Sequence, residues 1–443
     1  MRPTRLFATL LALLLAATAA AETRSFTVKG GSEAAPVPVS LDLLTVRNTI
    51  GADFAFDWSS LQVLVGGAAV PHQIDDTDLN GRVSAGDELS FVAAGDATVQ
   101  VSDEAGESAA AAPAFEVGQD GDATVIKSLT TEGFQVTVAA DGLASITGFG
   151  AVADTLAAEL GILRFSGFPE STYWANGQLG PHEEYTTLEA GGMRHVRTEV
   201  LPAGPVRVTV VSEYASDRFV GLNQRVVTRV FATGDVDVSN DVTFRGYSDM
   251  MKLQHMVTTV MSQADQDATH VLPVFRRLLW ADQLGVSAQD YFAERDAIQD
   301  VDGTPVIAFP ASSNASPLYW GAAYIFASAE PWRANYSDAL DIVVIESAHA
   351  TPAIAADYDE WLSGNTWVFE SQEFRTGVFK WTADEFATYD ATKDITLNAA
   401  NHYLPGDAVQ FHYTYSVRNA SDLADAVRQA RSIQHGLAGV EIE

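Results

Sequence analysis

Twelve residues, Asp76 to Asp87 (DTDLNGRVSAGD), hold the densest chemistry in the chain. Asp76, Asp78 and Asn80 alternate, Gly81 follows where a sharp turn needs a positive φ, and Asp87 closes the stretch. With the backbone carbonyl of Arg82 at the seventh place and apolar Val83 at the eighth, this is the spacing of an EF-hand-type calcium loop. A hard cation wants about six to eight oxygens, and alternate acids around a tight turn supply them with little strain. A metal-free hairpin turn rich in Asp, Asn and Gly would use the same residues. The closing acid is Asp rather than Glu, and residues 61–72 before the loop alternate like a strand. Any calcium held here is therefore expected to be structural.

Two other groups combine side chains that move protons. The segment 171–199 contains His182, Tyr185, His195 and Arg197. Strand alternation over 193–200 places His195, Arg197 and Glu199 on one face, with Arg194, Val196, Thr198 and Val200 on the other. A His–Arg pair on a cleft wall suits a general base beside a cation; a solvated polar face has the same pattern. Tyr173 and Trp174 could stack on a sugar ring and Asn176 could hold a carboxylate or hydroxyl, although Trp174 would serve a core equally well. Arg245, Tyr247, Lys252 and His255 repeat the cation, acid and base types close together, with ion pairing the ordinary use of Arg245 and Lys252. His402-Tyr403 and His412-Tyr413 carry less weight, and the later tryptophans fit a core as well as a sugar platform. HEXXH, GxSxG and P-loop patterns are absent, which argues against a zinc protease, a serine hydrolase with a nucleophile elbow and a P-loop NTPase.

These residues must be carried on strands. Short apolar alternations at 25–28, 61–65, 88–92 and 98–101 surround the Asp-rich loop and predict a small amino-terminal β-domain over 22–105. An Ala-, Gly- and acid-rich stretch, 106–122, reads as a linker. Beyond it, strand-like runs recur about every ten residues through 123–443, the cadence of a large antiparallel sandwich. Helices are expected at 287–298 and at the carboxy terminus, where Ser421 would cap and Leu423, Val427 and Ile433 share a face. The expected class is mainly β: a small β-domain, a large antiparallel β-sandwich and a short C-terminal helix.

Arg2 and Arg5 precede an apolar run, Leu6 to Ala17, and Ala19-Ala20-Ala21 offers a small-residue cleavage site before Glu22. Residues 1–21 therefore read as a signal peptide and predict a secreted or periplasmic protein. No later run is long enough to span a membrane. There is no cysteine, so stability has to come from core size and from any bound metal. A formal net charge of −32 argues against nucleic-acid binding. The charge is uneven: between Ala190 and Trp280 ten Lys/Arg stand against nine Asp/Glu. An anionic ligand would bind there, unless those arginines pair with local acids.

The string Pro71-His72-Gln73-Ile74-Asp75-Asp76-Thr77-Asp78-Leu79-Asn80-Gly81, followed by Asp87-Glu88-Leu89-Ser90-Phe91, resembles a recurring pattern of secreted bacterial proteins related to rhamnogalacturonan exolyases. Gly204-Pro205-Val206-Arg207 and the strands after it are similar to the second domain of those proteins, a β-supersandwich of galactose-mutarotase type. The resemblance implies a poly- or oligosaccharide partner and β-elimination on a uronate-containing glycan. Arg197 would then neutralise the uronate carboxylate, His195 or His182 would be the base, and Tyr185 or Tyr247 the acid; His255 is a further base. A glycoside hydrolase using Glu183, Glu184 or Glu199 and a non-catalytic carbohydrate-binding or surface protein remain alternatives.

Overall fold

The computed structural model describes residues 21–32, 35–106, 111–167, 174–175, 178–179, 184–186, 193–216, 221–246, 248–257, 259–261, 264–265, 267–273, 298–310, 324–327, 332–349, 365–368, 379–385 and 401–443. The expected signal peptide and the helix expected at 287–298 lie outside these residues, apart from Ala21 and Ile298. No helix among the described residues is long and apolar enough to cross a membrane.

The amino-terminal module packs two small sheets face to face. Strands β1 (Thr23–Lys29), β2 (Val37–Asp42), β3 (His72–Asp75), β4 (Glu88–Ala93) and β5 (Ala97–Ser102) are its main members. β1 pairs β5, while β4 lies between β2 and β3. Their alternation puts Phe26, Val28, Val39, Phe91, Val99 and Val101 inside. Helix α1 (Leu43–Ile50) was not anticipated from the sequence. It is short, and what starts it is local: the Asp42 carboxylate accepts from both the backbone N–H and the hydroxyl of Thr45, at 2.7 and 2.6 Å.

Ten described strands form one antiparallel sheet. It runs in the order β6 (Met193–Val200), β7 (Arg207–Ser216), β8 (Leu222–Phe231), β9 (Asp235–Phe244), with β11 (Ala408–Asn419) next and β10 (Ile342–Ala348) beyond it; Trp332–Ser337, Thr269–Pro273, Thr304–Pro310 and Ile298–Val301 complete it. On one face Val210, Val226, Val238, Tyr413 and Val344 meet a six-stranded sheet through Ile126, Val136, Ile146 and Leu160. That stack is the expected sandwich. The other face is divided. Trp332, Ala334, Val343 and Ile345 share a core with the amino-terminal module and with helix α2 (Leu423–Ala438), whereas over β7, β8 and β9 the covered residues are Arg207, Thr209, Arg229 and Asp237.

Two boundaries differ from expectation. Residues 106–122 are not a linker throughout: Phe115–Asp120 is an edge strand paired with Ala123–Ser128, because Phe115 and Val117 alternate within an otherwise loop-like composition. Nor do the two domains have separate cores, since α2 packs on the module and Glu441–Ile442 pairs with β1. The α2 cap is Asp422, not Ser421; its carboxylate accepts the Asp425 N–H at 2.7 Å.

On the sheet face that carries Val344 and Tyr415, Arg333 and Glu346 form a buried bidentate pair at 2.8 and 2.6 Å. Removing one partner strands the other charge in a low-dielectric core. Arg333→Ala is expected to cost about 3–5 kcal/mol, read as a fall in the urea midpoint, and Arg333→Met with Glu346→Leu to recover most of it.

Candidate functional site

The Asp-rich loop forms the tip between β3 and β4. Asp76 draws it round by accepting the N–H groups of Asn80 and Gly81, at 3.0 and 2.7 Å, and Gly81 takes a φ of 78° as the turn requires. Carboxylate oxygens of Asp76, Asp78 and Asp87 come within 4.8 Å of one another. Asn80 turns its side-chain oxygen to the Arg82 N–H at 3.0 Å, and Val83 is exposed. Asp87 is fully buried; Ser84 N–H donates to its Oδ2 at 2.6 Å, while Oδ1 has no hydrogen-bond partner. Burial, reinforced by the charges of Asp78 and Asp76, pushes the Asp87 carboxyl up.

The loop is flanked by two carboxylates that dock on the large sheet. Asp75 accepts from Arg207 Nε at 2.6 Å and from the Thr209 hydroxyl at 2.7 Å. Glu88 accepts from Arg207 Nη2 at 2.9 Å and binds Arg229 through Nε at 2.6 Å and through Nη2. Burial alone would raise the Glu88 carboxyl, but Arg229 and Arg207 outweigh it and hold it at about 2. Arg229 continues the chain to Asp237 Oδ2 at 3.1 Å.

Asp237 leads to a pair of stacked imidazoles on the large sheet. His349 and His412 stack with ring centroids 3.8 Å apart and planes 9° from parallel. His412 Nε2 lies 2.7 Å from Asp237 Oδ1, and the Thr414 hydroxyl donates to the same oxygen at 3.1 Å. Since that hydroxyl has only one proton, it accepts from His349 Nε2 at 2.9 Å. Both Nε2 atoms therefore carry hydrogen, and the Nδ1 atoms are left to exchange protons. Burial of Asp237 is more than offset by His412 and Arg229, so its carboxyl lies well below the usual range. Burial and the neighbouring His412 charge push His349 down to about 3, leaving it a neutral imidazole. The three groups have the types of a metal site. The stacking disfavours that use: in parallel rings the two lone pairs lie in separate planes and cannot both reach one ion without a ring turning.

The residues anticipated from the sequence fare differently. Between His195 and Arg197 the register of β6 on β7 shifts, pairing His195 with Tyr214 and Arg197 with Glu213. This bulge breaks the expected single face. His195 turns to Thr198 Oγ1 at 2.8 Å and against the Tyr214 ring, whereas Arg197 forms a bidentate pair with Glu213 at 2.9 and 2.7 Å. The proposed base–cation pair is thus divided. The near-neutral island is likewise internally paired, with Arg197, Arg207, Arg225 and Arg229 each facing a carboxylate. Arg245 is exposed, and its N–H donates to the Gly221 carbonyl at 2.8 Å. Tyr185 and Leu253 flank Phe165 in a second sheet, with Lys252 and His255 on the Leu253 strand and Trp174 in a separate hairpin. Tyr173, Asn176, His182 and Tyr247 lie outside the described residues. His349 and Asp237 were missed. The available signal was Asp235-Val236-Asp237-Val238, acids alternating with valines, which places acids on one covered face of a strand.

No family model and no curated protein matches the chain. Among solved structures it overlaps a candidate aldose 1-epimerase from Klebsiella pneumoniae at 12% identity and TM-score 0.37, covering 95% of this chain and 97% of that one. It also overlaps a candidate aldose 1-epimerase from Escherichia coli K12 at 12% identity and TM-score 0.36, covering 69% and 98%. A galactose mutarotase-like protein from Clostridium acetobutylicum gives 6% identity and TM-score 0.38, covering 69% and 99%. These likenesses of outline leave the assignment of chemistry to the residues themselves.

A histidine held neutral in the folded state binds fewer protons than in the unfolded chain between about pH 6.5 and 3, so its contribution to stability falls as pH drops through that window. In urea titrations from pH 7 to 5 the native protein should therefore lose more stability than His349→Asn, by on the order of 1 kcal/mol at pH 5.

Proposed function

We propose that this is an exported carbohydrate-processing protein that cleaves a uronate-containing glycan by β-elimination, with His349, His412 and Asp237 as its acid–base centre. The observation that carries the reading is the imidazole pair, one ring held neutral and the other tied to a buried carboxylate. The pattern from Pro71 to Phe91 supports a glycan as the substrate, and the amino-terminal leader supports export.

In this reading His349 Nδ1 takes the C5 proton of the uronate. The C–H electrons form the C4–C5 double bond, the C4–O4 bond breaks, and the departing O4 receives a proton from His412. Asp237 fixes the His412 ring through Nε2 and leaves Nδ1 for the transfer. The uronate carboxylate needs a cation. With Arg197 engaged by Glu213, Arg225 takes that role: its row with Asp241 and Gln410 lies one same-face step from the row of Val227, Ser239 and His412. Its Nη2 is held by the Thr77 carbonyl, whereas its Nη1 meets Asp241 only at 4.0 Å, which makes Nη1 the end that would exchange for a substrate carboxylate.

The test is ultraviolet absorbance of unsaturated uronate across pectic, ulvan-like and other uronate polymers. His349→Ala and His412→Asn should each lower the rate by about 10²–10⁴-fold, and Arg225→Ala should raise KM on the charged polymer. Full activity in both histidine variants would refute this centre. New reducing ends without unsaturated product would replace elimination by hydrolysis.

A further inference from the structure

We propose that the loop from Asp76 to Asp87 binds a calcium ion, and that the ion acts as a latch holding the amino-terminal module on the large sheet. The inference concerns the joint between the two and does not rest on the carbohydrate reading.

Two independent observations point to an ion. Three carboxylates converge within 4.8 Å at the tip of one hairpin, and one of them, Asp87, is fully buried with an oxygen that no hydrogen bond satisfies. A buried carboxylate beside two others is costly unless a cation joins them. The donor set, Asp76, Asp78, Asp87, Asn80 and the Arg82 carbonyl, offers oxygen only, with no imidazole or thiolate to favour a transition metal. A twelve-residue loop supplying a backbone carbonyl suits the large, loosely coordinated calcium ion better than octahedral magnesium.

The latch follows from what lies on either side. Asp75, directly before the first ligand, holds Arg207, and Glu88, directly after the last, holds Arg207 and Arg229. Within the loop, the Thr77 carbonyl accepts from Arg225, and the Asp87 carbonyl accepts the first N–H of α1 at 2.8 Å. Two residues before Asp75, Gln73 Oε1 accepts the N–H groups of Val206 and Arg207, both at 3.0 Å. Asp75 and Glu88 are cross-strand partners at the mouth of this loop, so an ion joining Asp76, Asp78 and Asp87 closes the hairpin end from which both docking carboxylates project and orders the Thr77 carbonyl that meets Arg225.

The mature chain, stripped with a chelator, would be titrated with calcium by calorimetry and followed by thermal melting and hydrogen exchange. Calcium at about 100 times its dissociation constant should raise the melting temperature by about 3 °C and slow exchange at both 75–88 and 206–209. Magnesium should do neither at the same concentration. Asp78→Asn changes an exposed ligand without touching the docking contacts, and should weaken calcium binding about tenfold or more while leaving the fold intact. Absence of binding, or equal binding by Asp78→Asn, would overturn the site. An equal response to magnesium would overturn the choice of ion, and calcium binding without protection of 206–209 would overturn the latch.

Discussion

A fully buried guanidinium, that of Arg207, is the constraint around which the described structure is arranged. It enters β7 from a sheet whose opposite face is a packed apolar core, and its own face is covered by another module. A buried guanidinium is tolerable only when its donors are satisfied. Asp75, Glu88 and the Ser40 hydroxyl, the last at 2.8 Å, do this from three strands of the amino-terminal module. Module and sheet are thus joined by specific charge geometry over β7 to β9 and by ordinary apolar packing beneath α2. The first sets the register of the joint and the second supplies area. Gly204 belongs to the same device: a Cβ there would meet the Gln73 amide at 2.2 Å and push it away from the Val206 and Arg207 N–H groups.

The polar face extends the arrangement toward chemistry. Glu88 holds Arg229, Arg229 holds Asp237, and Asp237 orients His412 beside His349. Each carboxylate is matched by a cation or a donor, so His412, within β11, stands at the end of a chain of paired charges, with His349 directly after the last residue of β10. Rigid support of this kind is what acid–base groups need to keep a fixed geometry. It also lets one histidine remain neutral a few ångströms from another that is tied to an acid.

Much of the fold was legible because period-2 alternation is local: Val208, Val210, Val226, Val236 and Val238 each signalled a covered strand face. The Asp-rich loop was legible for the same reason, its spacing being contained in twelve residues. The joint was only half legible. Gln73, Asp75 and Glu88 lay inside the pattern that stood out, yet read as surroundings of a calcium loop, because their partner Arg207 is more than a hundred residues away. His195 and Arg197 misled through a bulge that no alternation rule reveals. Asp237, His349 and His412 meet only because β9, β11 and β10 are neighbours in the sheet, a pairing of distant segments that sequence spacing does not encode.

The central claim is that the hairpin carboxylates and the imidazole pair form one electrostatic system. Nitrogen-resolved NMR of the His349 and His412 rings at one fixed pH, in the native protein and in Glu88→Gln, tests it most directly. Removing a negative charge that Arg229 shares with Asp237 should move the ring-nitrogen signals of His412, which Asp237 holds, while the fold and the ring stacking persist. Unchanged ring-nitrogen signals in a folded Glu88→Gln protein would show that the joint and the imidazoles are electrostatically independent, and would contradict the account.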